Sequence, residues 1–78
     1  MAQKRKPKNP ALVRLGENLR KAREKRSLSQ EELAFEAGVH RTYVGGVERA
    51  EYNVTVLTLC KFTKALGITL REAIRGLL

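Results

Sequence analysis

The run Leu28-Ser29-Gln30-Glu31-Glu32-Leu33-Ala34, then Ala37-Gly38-Val39, then Arg41-Thr42-Tyr43-Val44-Gly45-Gly46-Val47-Glu48-Arg49, reads as two short helices joined by a turn. Ser29 followed by Glu32 fits a capping box, in which the hydroxyl accepts a free backbone N–H and the carboxylate reaches back to the serine amide. Leu28 and Leu33 have the spacing of a hydrophobic staple around that start. Gly38 closes the helix after about two turns, because a residue without Cβ enters the left-handed region at little cost. Val39 and Val44 repeat the staple spacing ahead of a second short helix, roughly Arg41 to Arg49. Its inward face is Val44 and Val47, and its outward face is Arg41, Thr42, Tyr43, Gly46 and Arg49. Gly45 and Gly46 would each weaken an isolated helix by about 1 kcal/mol relative to Ala. Tertiary packing must hold this helix, and glycine there lets something approach closely.

Working outward, Leu12, Leu15, Leu19 and Ala22 recur at helical spacing and predict a helix from Pro10 to about Arg26. Thr55 can cap a later helix with Val56, Leu59, Phe62 and Leu66 on one face and Gly67 as its stop. Thr69 and Glu72 form a second capping box, starting a last helix through about Leu77. The expected fold is all-α with about five helices.

Length and composition bound the rest. A chain of 78 residues is one domain. A core of this size rarely supplies more than about 3 to 5 kcal/mol, which favours self-association. One cysteine, Cys60, and one histidine, His40, cannot build a disulfide or a structural zinc site within a monomer, so no metal or cofactor is expected. No apolar run approaches the roughly 20 residues that span a bilayer, and the basic start lacks a signal core. The expected location is the cytoplasm, with no membrane partner. Of the formal charge of +8, all sits early: residues 1–26 carry ten Lys or Arg against Glu17 and Glu24, whereas residues 27–78 carry six of each sign. Such asymmetry points to a polyanion, since cations that neutralise phosphates release counterions. Residues 1–10, with Lys4, Arg5, Lys6 and Lys8, read as a flexible basic arm ahead of a folded domain at 11–78.

Two short helices joined by a tight turn follow the helix-turn-helix plan, in which the second helix reads base edges while the first crosses the backbone. The motif residues quoted above, extended by Thr58-Leu59 and Lys64-Ala65-Leu66-Gly67-Ile68, resemble the lambda-repressor and Cro family over about residues 12 to 75. Within it, Arg41-Thr42-Tyr43, Gly46-Val47-Glu48-Arg49 and Asn53 look most like the controller proteins of restriction-modification systems.

The resemblance implies roles residue by residue. Gln30 would face a phosphate with its side chain and amide, and Ser29 would cap or join it, because helix N-termini attract anions. Arg41, Thr42 and Gly46 fall at base-reading positions. Arg can bind guanine O6 and N7 together, and Thr offers a methyl group to thymine. His40, Tyr43, Arg49 and Asn53 would meet phosphate and set register, with Tyr43 alternatively packing against the first helix of the pair. Glu48 would pair with Arg23. Three positions depart from the family: His40 is a poor cap, Ala50 stands where Gly or Asn tolerates a left-handed backbone, and Tyr52 replaces a basic residue.

Leu70, Ile74, Leu77 and Leu78 supply apolar surface for a homodimer, and a two-fold dimer suits a pseudo-palindromic operator. The implied function is transcriptional regulation: the dimer occupies an operator overlapping a promoter and either blocks RNA polymerase or touches it. A lone histidine and cysteine provide no nucleophile with a base, so an enzyme is not expected. The rival reading is an antitoxin-type interaction module that also binds its own promoter. RNA binding is disfavoured by only four aromatics, Phe35, Tyr43, Tyr52 and Phe62.

Overall fold

A computed structural model describes residues 8–78. Five helices form in order: α1 (Pro10–Lys25), α2 (Gln30–Ala37), α3 (Arg41–Glu48), α4 (Val56–Leu66) and α5 (Leu70–Ala73). Each start has a side-chain cap. Asn9 accepts from the Ala11 amide ahead of Pro10, whose missing N–H costs nothing at a first helical position. Ser29 with Glu32 and Thr69 with Glu72 form the two expected capping boxes. Those hydrogen bonds hold the Glu32 and Glu72 carboxyls below the usual range, with Ser29 and Thr69 as the leading causes. Gly38 and Gly67 close α2 and α4 in the left-handed region.

All five helices feed one core. Leu15 and Leu19 from α1, Leu33 from α2, Val44 and Val47 from α3, Leu59, Phe62 and Leu66 from α4 and Ala73 from α5 are buried together. Leu28 and Val39, the expected staple residues, are half-buried against it. The periodic reading erred at two ends. Val56, expected inward at the start of α4, is 67% exposed, because the inward face begins at Leu59. The last helix is a single turn that stops at Ile74, and Gly76 bends the chain back at φ 76°. Leu77 therefore packs against the core instead of joining an outer face.

Two backbone features set how the helices meet. A Cβ at Gly16 would lie 2.6 Å from the Glu48 carbonyl oxygen and 2.8 Å from that of Val47, so α1 presses its bare backbone against the end of α3. Among the described residues, left-handed backbone also occurs at two residues with side chains, Ser27 (φ 56°) and Ala50 (φ 64°). Both end helices in the same way, with paired returns: Leu28 to Arg23 and Ser27 to Glu24 after α1, Glu51 to Gly46 and Ala50 to Val47 after α3. The strain expected at Ala50 is thus present, at a residue whose methyl group is buried.

Opposite stability changes follow. Gly16→Ala would force α1 off a carbonyl that cannot swing aside, costing about 1 to 3 kcal/mol. Ser27→Gly, at an exposed site, would relieve left-handed strain and gain up to about 1 kcal/mol. Denaturant unfolding checks both signs; a neutral Gly16→Ala would contradict the close approach.

Candidate nucleic-acid interface

The second helix of the pair owes its position to one carboxylate. Glu48, at the end of α3, has a side chain only 5% exposed, and it accepts from Arg23 of α1 at 2.7 Å (Nε to Oε2) and 3.0 Å (Nη2 to Oε1). Arg23 also donates through Nη1 to the Leu28 carbonyl at 2.8 Å, tying the same guanidinium to the linker before α2. Its hydrogen bonds to Glu48 raise the Arg23 guanidinium above its ordinary value. The Gln30 amide completes the set, donating from Nε2 to Glu48 Oε1 at 3.0 Å. One carboxylate thus binds α1, α2 and α3 together. The side chain of Gln30, expected to face a phosphate, gives one N–H to this bond while still lining the surface beside α3, and its backbone amide lies at the helix start.

Around this anchor the start of α2 and one side of α3 form an open cleft of about 550 Å³, with Ser29, Gln30, Arg41, Thr42, Gly45 and Arg49 among its walls. The motif therefore brings five of the expected contact residues to one surface. His40 caps α3 after all: Nδ1 accepts from the Thr42 amide at 3.1 Å and lies 2.7 Å from Thr42 Oγ1. An imidazole nitrogen that accepts from both leaves Thr42 with its methyl group and oxygen lone pairs for any further contact.

The two exposed arginines of this surface, Arg41 and Arg49, each meet a carboxylate. Arg41 Nη1 lies 2.9 Å from Glu31 Oε2, with the side chains 65% and 71% exposed. Arg49 donates to Glu51 through Nε at 2.9 Å and Nη2 at 3.3 Å, and these bonds raise its guanidinium above its ordinary value. Glu31 and Glu51 carried no signal in the periodic pattern, since each partnership spans a turn rather than a helix face.

Other expectations resolve differently. Gly46 is buried instead of outward-facing, because the Tyr52 ring lies over it; a Cβ there would meet Tyr52 Cε2 at 2.1 Å. A direct base contact by Gly46 is therefore withdrawn. Tyr43 is half-buried, its ring 4.9 Å from that of Tyr52 and stacked at 6.2 Å on Phe62. Its ring thus packs against the linker after α3 and against α4. Tyr52, read as a missing cation, instead fills the space that Gly46 leaves. Asn53 is exposed in the linker beyond α3 and outside the cleft. Lys8 donates to the Arg49 carbonyl, which places the end of the basic arm beside the end of α3. Lys4, Arg5 and Lys6 lie outside the described residues.

Removing one partner of the near-buried pair strands the other, so Glu48→Ala should cost about 3 kcal/mol or more. Glu51→Ala breaks an exposed pair and should leave stability nearly unchanged. Equal losses in denaturant unfolding would contradict the anchoring role of Glu48.

Comparison with known proteins agrees with this geometry. The helix-turn-helix family matches residues 19–72. The control protein C.SmaI of Serratia marcescens is 55% identical over 53 residues, which cover 68% of this chain and 63% of that protein, a little under two thirds of its length. The controller protein C.AhdI of Aeromonas hydrophila superposes with a TM-score of 0.78 at 48% identity, covering 80% of this chain and 94% of that one. The controller protein C.Esp1396I, solved as a tetramer with its natural 35 base-pair operator, gives a TM-score of 0.77 at 28% identity over 86% of this chain and 87% of that one. Helix order, anchored reading helix and likeness coincide: the chain belongs to the helix-turn-helix family of lambda-repressor and Cro type, with its resemblance inside that family to the restriction-modification controller proteins.

Proposed function

We propose that this chain regulates transcription as a controller protein of a restriction-modification system, binding a pseudo-palindromic operator as a homodimer. The observation that carries the reading is the cleft at the start of α2 and along α3, where Arg41, Thr42 and Arg49 stand on a helix held rigidly by Glu48. Arg41 and Thr42 occupy the first turn of α3, the part of a recognition helix that meets base edges. The free amides at the start of α2 suit a phosphate. The operator complex of C.Esp1396I supports a double-stranded target and an assembled reader.

Leu70, Ile74 and Leu78 remain exposed near the C-terminus, as do Val56 and Leu57 at the start of α4. This apolar surface supports pairing of two copies, which would present two α3 helices to half-sites about one DNA turn apart. Bound over a promoter, the dimer blocks RNA polymerase or contacts it. Lys8, which lies beside the end of α3, adds a phosphate contact, and Lys4, Arg5 and Lys6 add further cations for phosphates.

Selection from a random duplex pool followed by affinity measurement tests the reading. Arg41→Ala should relax choice at one base-pair position, costing about 1 to 3 kcal/mol on the selected sequence, while Arg49→Ala should weaken all duplexes alike and flatten the salt dependence by about one unit of slope. Failure of the wild-type chain to select any sequence would sink it. Sedimentation at micromolar concentration should show a dimer that Ile74→Asp dissociates; a monomer in the presence of the selected duplex would remove the two-fold arrangement.

A further inference from the structure

The two arginine–carboxylate pairs of the reading surface differ in what they leave open. Arg49 gives both Nε and Nη2 to Glu51, so that edge of the guanidinium is filled. Arg41 gives only Nη1 to Glu31 among the described residues. The Nε and Nη2 edge of Arg41 is left with two parallel N–H donors, the arrangement that guanine O6 and N7 accept as a pair. Glu31 sits in the first turn of α2, immediately after a complete capping box and next to the buried Leu33 and Ala34, so its backbone is rigid.

We propose that Glu31 is a positioning residue for base recognition: it braces Arg41 through Nη1 and offers the opposite edge of the guanidinium to a guanine. This rests on the reading of Arg41 as a base contact. Two physical effects act in the same direction. An unbraced arginine samples many rotamers and reaches phosphates of any sequence, whereas a braced one keeps its fork in one place. A carboxylate on a phosphate-facing surface also repels the backbone of every duplex equally, lowering non-specific affinity while the guanine contact compensates only at the correct site.

The test is Glu31→Gln, alone and with Arg41→Ala, measured on a duplex selected by the wild-type chain, on its single base-pair substitutions and on a scrambled duplex. Glu31→Gln should bind the scrambled duplex about 2- to 5-fold more tightly. It should lose about 2- to 5-fold of discrimination at the one base pair that Arg41 reads, the range expected for an exposed ion pair. Discrimination elsewhere should hold, and in the Arg41→Ala background Glu31→Gln should no longer alter it. Glu51→Gln should shift all duplexes together. Unchanged or improved discrimination at the Arg41 position in Glu31→Gln would overturn the brace and make the pair a bystander or a competitor for Arg41. If Arg41→Ala itself leaves base choice intact, the reading of Arg41 falls and the brace with it, an outcome distinguishable from failure of the brace alone.

Discussion

The Glu48 carboxylate is the constraint on which the reading surface depends. Burying a charge is costly unless it is paired and hydrogen-bonded, and here three donors from two other helices meet its two oxygens. A pair of this kind contributes little net stability, and its value lies in geometry: α3 cannot shift along α1 or α2 without losing those bonds. Gly16 makes the arrangement possible by letting α1 touch the last turn of α3, and Tyr52 closes the opposite side over Gly46. The two adjacent glycines that would weaken a free helix are therefore where side chains of neighbouring segments come against α3. Arg49 and Gln30 side chains stand against Gly45, and the Tyr52 ring against Gly46.

Most of the architecture was legible because it rests on local chemistry. The capping boxes at Ser29 and Thr69 and the stops at Gly38 and Gly67 each follow from residues within a few positions of one another, and all form as read. The Arg23–Glu48 pair came from family resemblance, since nothing within either helix announces a partner 25 positions away. What escaped the sequence depends on tertiary approach. Gly46 looked outward by periodicity, but a ring from the following linker covers it. Gln30 looked free at a helix start, yet a carboxylate across the motif accepts one of its side-chain N–H groups. The last helix was read too long because Leu77 keeps the apolar spacing even after Gly76 has turned the chain.

The electrostatic design divides range from reading. The net positive charge lies in residues 1–26, on the arm and α1, whereas α3 carries Arg41 and, at its end, Arg49. Both of those arginines meet glutamates. Long-range attraction to a polyanion thus comes mainly from outside the reading helix, and that helix stays close to neutral with its flanking acids. An unscreened cationic α3 would grip any duplex; under the proposed function, a balanced one would leave discrimination to Arg41 and Thr42 at its first turn.

Under the proposed function, duplex DNA docks on the cleft between the start of α2 and α3. Amide chemical-shift mapping of the free chain titrated with a duplex should then show its largest changes at Ser29, Gln30, Arg41, Thr42 and Arg49. Changes centred instead on the second basic groove, at Lys21, Lys25 and Arg75 between α1 and the chain end, with α3 silent, would contradict it.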